Sequence, residues 1–77
     1  MSKKSTIIYN EFREQLGAEL KRVRLEQNLS LEEVAQKLNQ SRESLIVGIE
    51  NGWSKHLFLT FVLCALYNKH LKISLVD

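Results

Sequence analysis

Residues 39–44, NQSRES, form a polar hinge between two short helical patterns and carry an arginine, a glutamate and two serines. The arginine side chain donates hydrogen bonds through its planar guanidinium group, the glutamate carboxylate accepts them, and the serine hydroxyls can donate and accept. The chain offers no nucleophile and base pair, carboxylate dyad, phosphate-cradling loop or cofactor motif, so we expect no enzyme and no cofactor. His56 and His70 have no second close ligand, so we expect no metal site. The chemistry that these residues support is recognition.

Length and composition predict one small domain. With 77 residues, only about 60% of the unfolded surface can be buried, so we expect a partner subunit to add stability. The single cysteine, Cys64, cannot form an internal disulfide, and the N-terminus lacks the apolar stretch of a secretory signal, which favours a cytoplasmic protein. The longest apolar run, residues 57–67, is too short for a bilayer, so we expect no membrane partner. The net charge of +2 only weakly indicates an anionic partner.

Apolar periodicity predicts an all-α domain of four to five short helices. We expect residues 1–9 to form a flexible basic arm and a first helix to occupy residues 10–27. Its apolar positions recur at helical spacing: Phe12, Leu16, Leu20 and Val23. Asn28 can take the left-handed conformation that ends a helix, and Ser30 with Glu33 forms a capping box before a second helix at residues 31–38.

The second half of the chain predicts two more helices. The third begins after Ser41, as its N-cap, and ends at Glu50, where Asn51-Gly52 supplies a left-handed cap. The fourth occupies residues 56–67 and ends at Asn68, so the helical domain spans residues 10–68. Apolar side chains surround most of the fourth helix, which indicates burial on more than one side. We expect Cys64 to be an inert core thiol and Trp53 to pack beside this helix.

Residues 69–77 form a C-terminal tail in which apolar and polar residues alternate, a pattern typical of a short β-strand. A lone strand in a helical domain needs a partner, and we expect a second copy of the chain to supply it. The predicted homodimer seam combines the fourth helix and the tail: Phe58, Phe61, Val62, Leu71, Ile73 and Leu75. The alternative is a monomer with an exposed apolar patch.

Two segments, LKRVRLEQNLSLEEVAQKL (residues 20–38) and SRESLIVGIENG (residues 41–52), resemble the Cro and phage-repressor type of helix-turn-helix protein, the Xre-like family. The resemblance covers about residues 16–67, and the tail resembles the C-terminal strand of antitoxin-type repressors. It implies a compact, lambda-repressor-like fold whose third helix enters the DNA major groove. It also implies a structural ion pair between Arg24 and Glu50 that ties the first helix to the third.

The same resemblance assigns base contacts to residues early in the third helix: Arg42, Glu43, Ser44 and Val47. Arginine can bond guanine O6 and N7, glutamate can accept from cytosine N4, and serine is permissive. Phosphate contacts are assigned to helix N-termini and to the loop after the third helix: Ser30, Gln40, Ser41, Asn51, Lys55 and His56. The alternatives are a solubilising role for Arg42, a helix-dipole role for Glu43 and an ordinary polar loop for Lys55 and His56.

The implied function is a sequence-specific transcriptional regulator, a homodimeric repressor that binds a near-palindromic operator in double-stranded DNA. Residues 29–52, however, carry two basic and four acidic side chains, so this stretch is net acidic. That balance supports an alternative, an antitoxin or adaptor that uses the same fold to bind a toxin or other regulatory protein. Salt distinguishes the two, because DNA binding weakens steeply as salt rises.

Overall fold

The computed structural model describes residues 3–39, 43–70, 72 and 74–76, and these residues form four helices and no strand. The helices are α1 (Lys3–Glu26), α2 (Leu31–Lys37), α3 (Glu43–Glu50) and α4 (Leu57–Leu66). The predicted all-α class is therefore confirmed for the described residues, which contain no fifth helix. Both α1 and α2 pack against α3.

α1 begins at Lys3, seven residues before the predicted start, so the expected flexible arm is instead helical from residue 3 to residue 9. Neither glycine nor proline interrupts this stretch. The guanidinium of Arg13 lies 4.9 Å from the centroid of the Tyr9 ring, one helical turn away, and also donates to the side-chain oxygen of Asn10. A 24-residue helix is about 36 Å long, so α1 runs almost the full 38 Å length of the molecule.

α2 has the capping box that the sequence predicted. The Ser30 hydroxyl oxygen accepts from the Glu33 backbone N–H at 3.0 Å, and the Glu33 carboxylate accepts from the Ser30 backbone N–H at 3.1 Å. Hydrogen bonds from Ser30 to the Glu33 carboxylate lower the pKa of Glu33. The larger effect comes from the Ser30 backbone N–H and the smaller one from the Ser30 hydroxyl. Before α2, Asn28 is left-handed as predicted, with φ of 58°, and after it Asn39 has φ of 54°.

α3 ends at Glu50, as predicted, and α4 ends at Leu66, one residue before the predicted end. Gly52 has φ of 74°, which glycine adopts without steric cost, and Asn68 has φ of 57°. α4 begins with His56 as its N-cap, whose ring Nδ1 accepts from the backbone N–H of Leu59 at 3.1 Å. The predicted N-cap of α3, Ser41, lies outside the described residues.

The hydrophobic core lies between the helices and is formed by Leu20, Val23, Val34, Ala35, Ile46, Ile49, Leu59, Leu63, Cys64 and Tyr67. Two predicted core residues are not buried. Phe12 is 38% exposed, and the Trp53 side chain is 73% exposed. The Trp53 backbone, rather than its ring, makes the contacts of this loop, since its N–H donates to the Gly48 carbonyl and its carbonyl accepts from Arg13.

The described part of the C-terminal tail has no regular secondary structure. Lys72, Ser74, Leu75 and Val76 belong to neither a helix nor a strand, and Leu75 is 98% exposed. Leu71 and Ile73, which were also assigned to the strand, lie outside the described residues. The pairing of two tails as strands therefore stays a prediction.

Candidate nucleic-acid interface

α3 has one face in the core and one face in solvent. Ile46 and Ile49 are buried, whereas Glu43, Ser44 and Leu45 in the first turn are exposed. Two of the predicted base contacts, Glu43 and Ser44, thus lie on the exposed side, and a third, Val47, is half-buried. The fourth, Arg42, lies outside the described residues. Leu45 adds an exposed apolar side chain that the sequence analysis did not assign to this surface.

Gly17 allows α1 to cross the C-terminal end of α3 at very short range. A Cβ atom at this position would lie 2.2 Å from the carbonyl oxygen of Ile49 and 2.7 Å from that of Glu50. Both are backbone atoms, so any larger residue would force the two helices apart. Gly17 was not among the residues predicted from the sequence, although a glycine inside a helical pattern costs about 1 kcal/mol relative to alanine and often has a packing reason.

Arg24 and Glu50 form the buried ion pair that the family resemblance implied. Arg24 Nε lies 2.7 Å from Glu50 Oε2, Nη2 lies 3.3 Å from Oε1, and both side chains are almost fully buried. The Glu50 carboxylate raises the pKa of Arg24. Arg24 Nη1 also donates to the Leu29 carbonyl at 2.8 Å. One guanidinium therefore joins α1, the α1–α2 connection and the end of α3.

The Asn51-Gly52 turn is the third connection between α3 and α1. The Asn51 side-chain amide donates to the Val47 carbonyl at 3.0 Å, so this side chain closes its own helix. A Cβ atom at Gly52 would lie 2.8 Å from Cα of Glu14, which shows how closely the turn approaches α1. The end of α3 is thus fixed by backbone approach at two glycines and by one ion pair.

Several predicted phosphate contacts already serve their own helix ends. Ser30 caps α2 through its hydroxyl oxygen, and His56 caps α4 through Nδ1. His56 keeps the second ring nitrogen, Nε2, for another partner. Lys55 is exposed in the loop between α3 and α4, and the remaining predicted phosphate contacts, Gln40 and Ser41, lie outside the described residues.

The described part of this surface is acidic. α3 carries the exposed Glu43 and no lysine or arginine among its described residues, and its other glutamate, Glu50, is buried against Arg24. α2 has two glutamates in its first turn and Lys37 in its last. Attraction for phosphate within the described residues would therefore come mainly from Lys55 and from unpaired backbone N–H groups at helix N-termini.

The residues predicted for the dimer seam leave apolar side chains in solvent. Phe58 is 74% exposed on α4, Phe61 is also exposed, and Val62 is half-buried. In the tail, Leu75 is exposed as described above. The single chain thus covers neither the outer side of α4 nor this tail residue.

Burial keeps the two titratable side chains of this part of the core, Cys64 and Tyr67, in their protonated forms. Burial raises the pKa of the Cys64 thiol, which disfavours the reactive thiolate. Burial, with a smaller contribution from Glu50, raises the pKa of Tyr67 to about 12, and its hydroxyl has no hydrogen-bond partner among the described residues. Within the same residues, no three metal-binding side chains come together, and none of the helices has the length and apolarity needed to cross a membrane.

We compared the chain with protein-family models, curated proteins and solved structures, and no family model, curated protein or solved structure matches it. A function is therefore proposed from the sequence and from the arrangement of α3 on α1.

Proposed function

We propose that the protein is a DNA-binding regulator of the Cro and phage-repressor type that acts in the cytoplasm as a homodimer. The first turn of α3, with Arg42 before it, would read base edges in the major groove. Lys55 and His56, in the loop after α3, would contact phosphates of the DNA backbone. Two copies would place two α3 helices on half-sites about one helical turn of DNA apart, and occupancy of this operator would repress transcription.

The observation that supports this function most directly is the way α3 is held. Its C-terminal end is fixed to α1 by Gly17 and by the Arg24–Glu50 pair, while Glu43 and Ser44 at its other end are exposed. Hydrogen bonds to base edges are directional, so a helix that reads them must be held in one position. An anchored helix with a polar, exposed first turn meets that requirement.

The test is selection of DNA from a library of random duplexes at near-physiological salt. The purified protein is passed over the library, and the retained duplexes are sequenced. We expect an enriched inverted repeat with half-site centres about 10 to 10.5 base pairs apart. A folded protein that enriches no sequence would contradict the proposed function.

Two variants separate base reading from phosphate binding. Arg42→Ala should weaken binding to the selected site by about 1–3 kcal/mol and leave binding to random duplexes nearly unchanged. Lys55→Ala is the matched control, because loss of a phosphate contact should weaken binding to all sequences alike. Equal losses on both kinds of DNA for Arg42→Ala would remove this residue from the base-reading set.

The charge of α3 supports a second function. Its described residues carry no basic side chain, and both Glu43 and Leu45 in its first turn are exposed. An acidic surface with an apolar residue suits a basic protein partner, so the alternative is an antitoxin or adaptor that binds a toxin or other regulatory protein. Under this function, the library shows no enrichment. Leu45→Ala would then weaken capture of the partner, whereas it should only modestly affect DNA retention under the first function.

A further inference from the structure

Most of the N-terminal half of α1 lies outside the packed core. Every residue from 3 to 9 is exposed, and the buried residues of α1 begin at Gly17. Isolated helices shorter than about 12–15 residues are marginal in water, because their own hydrogen bonds barely offset the loss of backbone entropy. This half of α1 would therefore be stabilised by a surface on which it can pack.

An apolar surface runs along this half of α1 and continues onto α4. Ile8 and Phe12 are four residues apart and share one face of the helix. Phe12 lines a groove together with Tyr9 and Leu57, the first residue of α4. We call the exposed apolar residues of this region the α1–α4 surface: Ile8, Tyr9, Phe12, Leu57, Phe58 and Phe61.

The exposed apolar area of the α1–α4 surface is close to the area that a small dimer interface buries on each chain. The exposed fractions of its six side chains correspond to about 500 Å² of apolar area. Two copies packed face to face would bury about 1,000 Å², which reaches the lower limit for a specific protein interface. Exposed apolar area of this size is comparable with that of the patches that mark interaction sites on monomers.

The charges beside this surface are arranged to match a second copy. Lys4 and Glu11 are seven residues apart, so they lie on the same edge of the helix on either side of Ile8. In an antiparallel pair of helices related by a two-fold axis, corresponding edges face each other. If the axis passes between residues 7 and 8, each Lys4 lies opposite the partner's Glu11.

We propose that two copies of the chain meet through the α1–α4 surface, with the N-terminal halves of their α1 helices packed antiparallel. The occupant is a second copy, because the surface is complementary in charge to itself. This inference adds α1 to a seam that the sequence placed only on the fourth helix and the tail. It does not depend on DNA binding by α3.

The first test compares two exposed apolar residues of the same helix. Ile8 is 56% exposed within the α1–α4 surface, and Leu25 is 55% exposed at the other end of α1. The full chain and the variants Ile8→Glu and Leu25→Glu are followed by sedimentation and light scattering from low micromolar to near-millimolar concentration. We expect Ile8→Glu to weaken the dimer about tenfold or more and Leu25→Glu to leave it unchanged.

The second test reverses charges. Lys4→Glu alone and Glu11→Lys alone should each weaken the dimer about three- to fivefold, because each creates two like-charge pairs across the axis. The double variant restores both pairs with opposite polarity and should return to within about twofold of the natural chain. Residues seven apart on one helix lie about 10 Å apart, so this rescue cannot come from a pair within one chain.

Three outcomes would overturn the proposal. The natural chain could be monomeric at all concentrations; the dimer could survive Ile8→Glu but be lost in Phe58→Glu; or the double charge reversal could fail to restore it. Circular dichroism of each variant will test whether it remains helical. Because selection of DNA is measured separately, failure of this interface and failure of the DNA-binding function are distinguishable.

Discussion

Substitution of Glu50 by glutamine would test how firmly α3 is held on α1. Glu50→Gln keeps the size of the side chain and one acceptor oxygen but removes the charge opposite Arg24. Removing one partner of a buried ion pair costs about 3–5 kcal/mol, because the other charge stays buried without compensation. Arg24 would keep its bond to the Leu29 carbonyl at 2.8 Å, so we expect the lower end, about 3 kcal/mol. A domain of this length has about 4–12 kcal/mol of stability, so this loss is a large share of it.

The assay is urea unfolding followed by far-UV circular dichroism at neutral pH. We expect a lower midpoint with an unchanged slope and a fall in melting temperature of about 12–24 °C. Arg22→Gln is the control, since Arg22 pairs with Glu19 and Glu26 at 2.6 and 2.8 Å but is exposed, and it should cause no measurable loss. A loss below about 1 kcal/mol for Glu50→Gln would show that packing alone holds α3 and would refute the reasoning.

Four further predictions concern the stability of the fold. Gly17→Ala should destabilise the fold by about 1–3 kcal/mol despite the higher helix propensity of alanine, because its methyl group would lie 2.2 Å from the Ile49 carbonyl oxygen; a raised melting temperature would contradict this. Tyr67→Phe should be neutral or stabilising at pH 7, since the lost hydroxyl has no partner among the described residues. The natural chain should also lose stability as the pH rises from about 10 to about 12, because Tyr67 releases its proton at a lower pH in the unfolded chain than in the folded one. When stability is measured across that range, the loss should be smaller in Tyr67→Phe. Because the pKa of Glu33 is lowered in the folded chain, its carboxylate stabilises the fold above about pH 4.5, and this stabilisation is lost as the pH falls through the folded pKa. Glu33→Gln can still cap α2, so the free energy of unfolding of this variant should change less with pH in the acid range.

Local signals in the sequence predicted most of the helix ends. The capping box at Ser30, the left-handed residues Asn28 and Gly52, and the end of α4 before Asn68 all depend on a few adjacent residues. Such motifs need only the neighbouring backbone to form, so a sequence contains the information to locate them. The contact of Arg24 with Glu50 was found differently, because it joins residues far apart and only the family resemblance implied it.

The features that the sequence did not predict depend on contacts between distant segments. The role of Gly17 is set by the carbonyl groups of α3, which no local pattern reports. The early start of α1 was missed because Ile7, Ile8 and Tyr9 were too short an apolar run to assign, and within the single chain these residues have no core to face. The exposure of Trp53 follows from a loop whose backbone is bonded on both sides, which leaves the ring outside.

The position of Trp53 has a practical consequence for spectroscopy. It is the only tryptophan of the chain, and its indole is already in water while its backbone is held by Gly48 and Arg13. Unfolding therefore changes the surroundings of the ring little, so intrinsic fluorescence will be a poor monitor of stability. The same ring stands in the loop that follows α3, where any molecule covering that loop would exclude water from it. A blue shift of the Trp53 fluorescence emission would therefore report, without an added label, that a molecule covers the loop after α3.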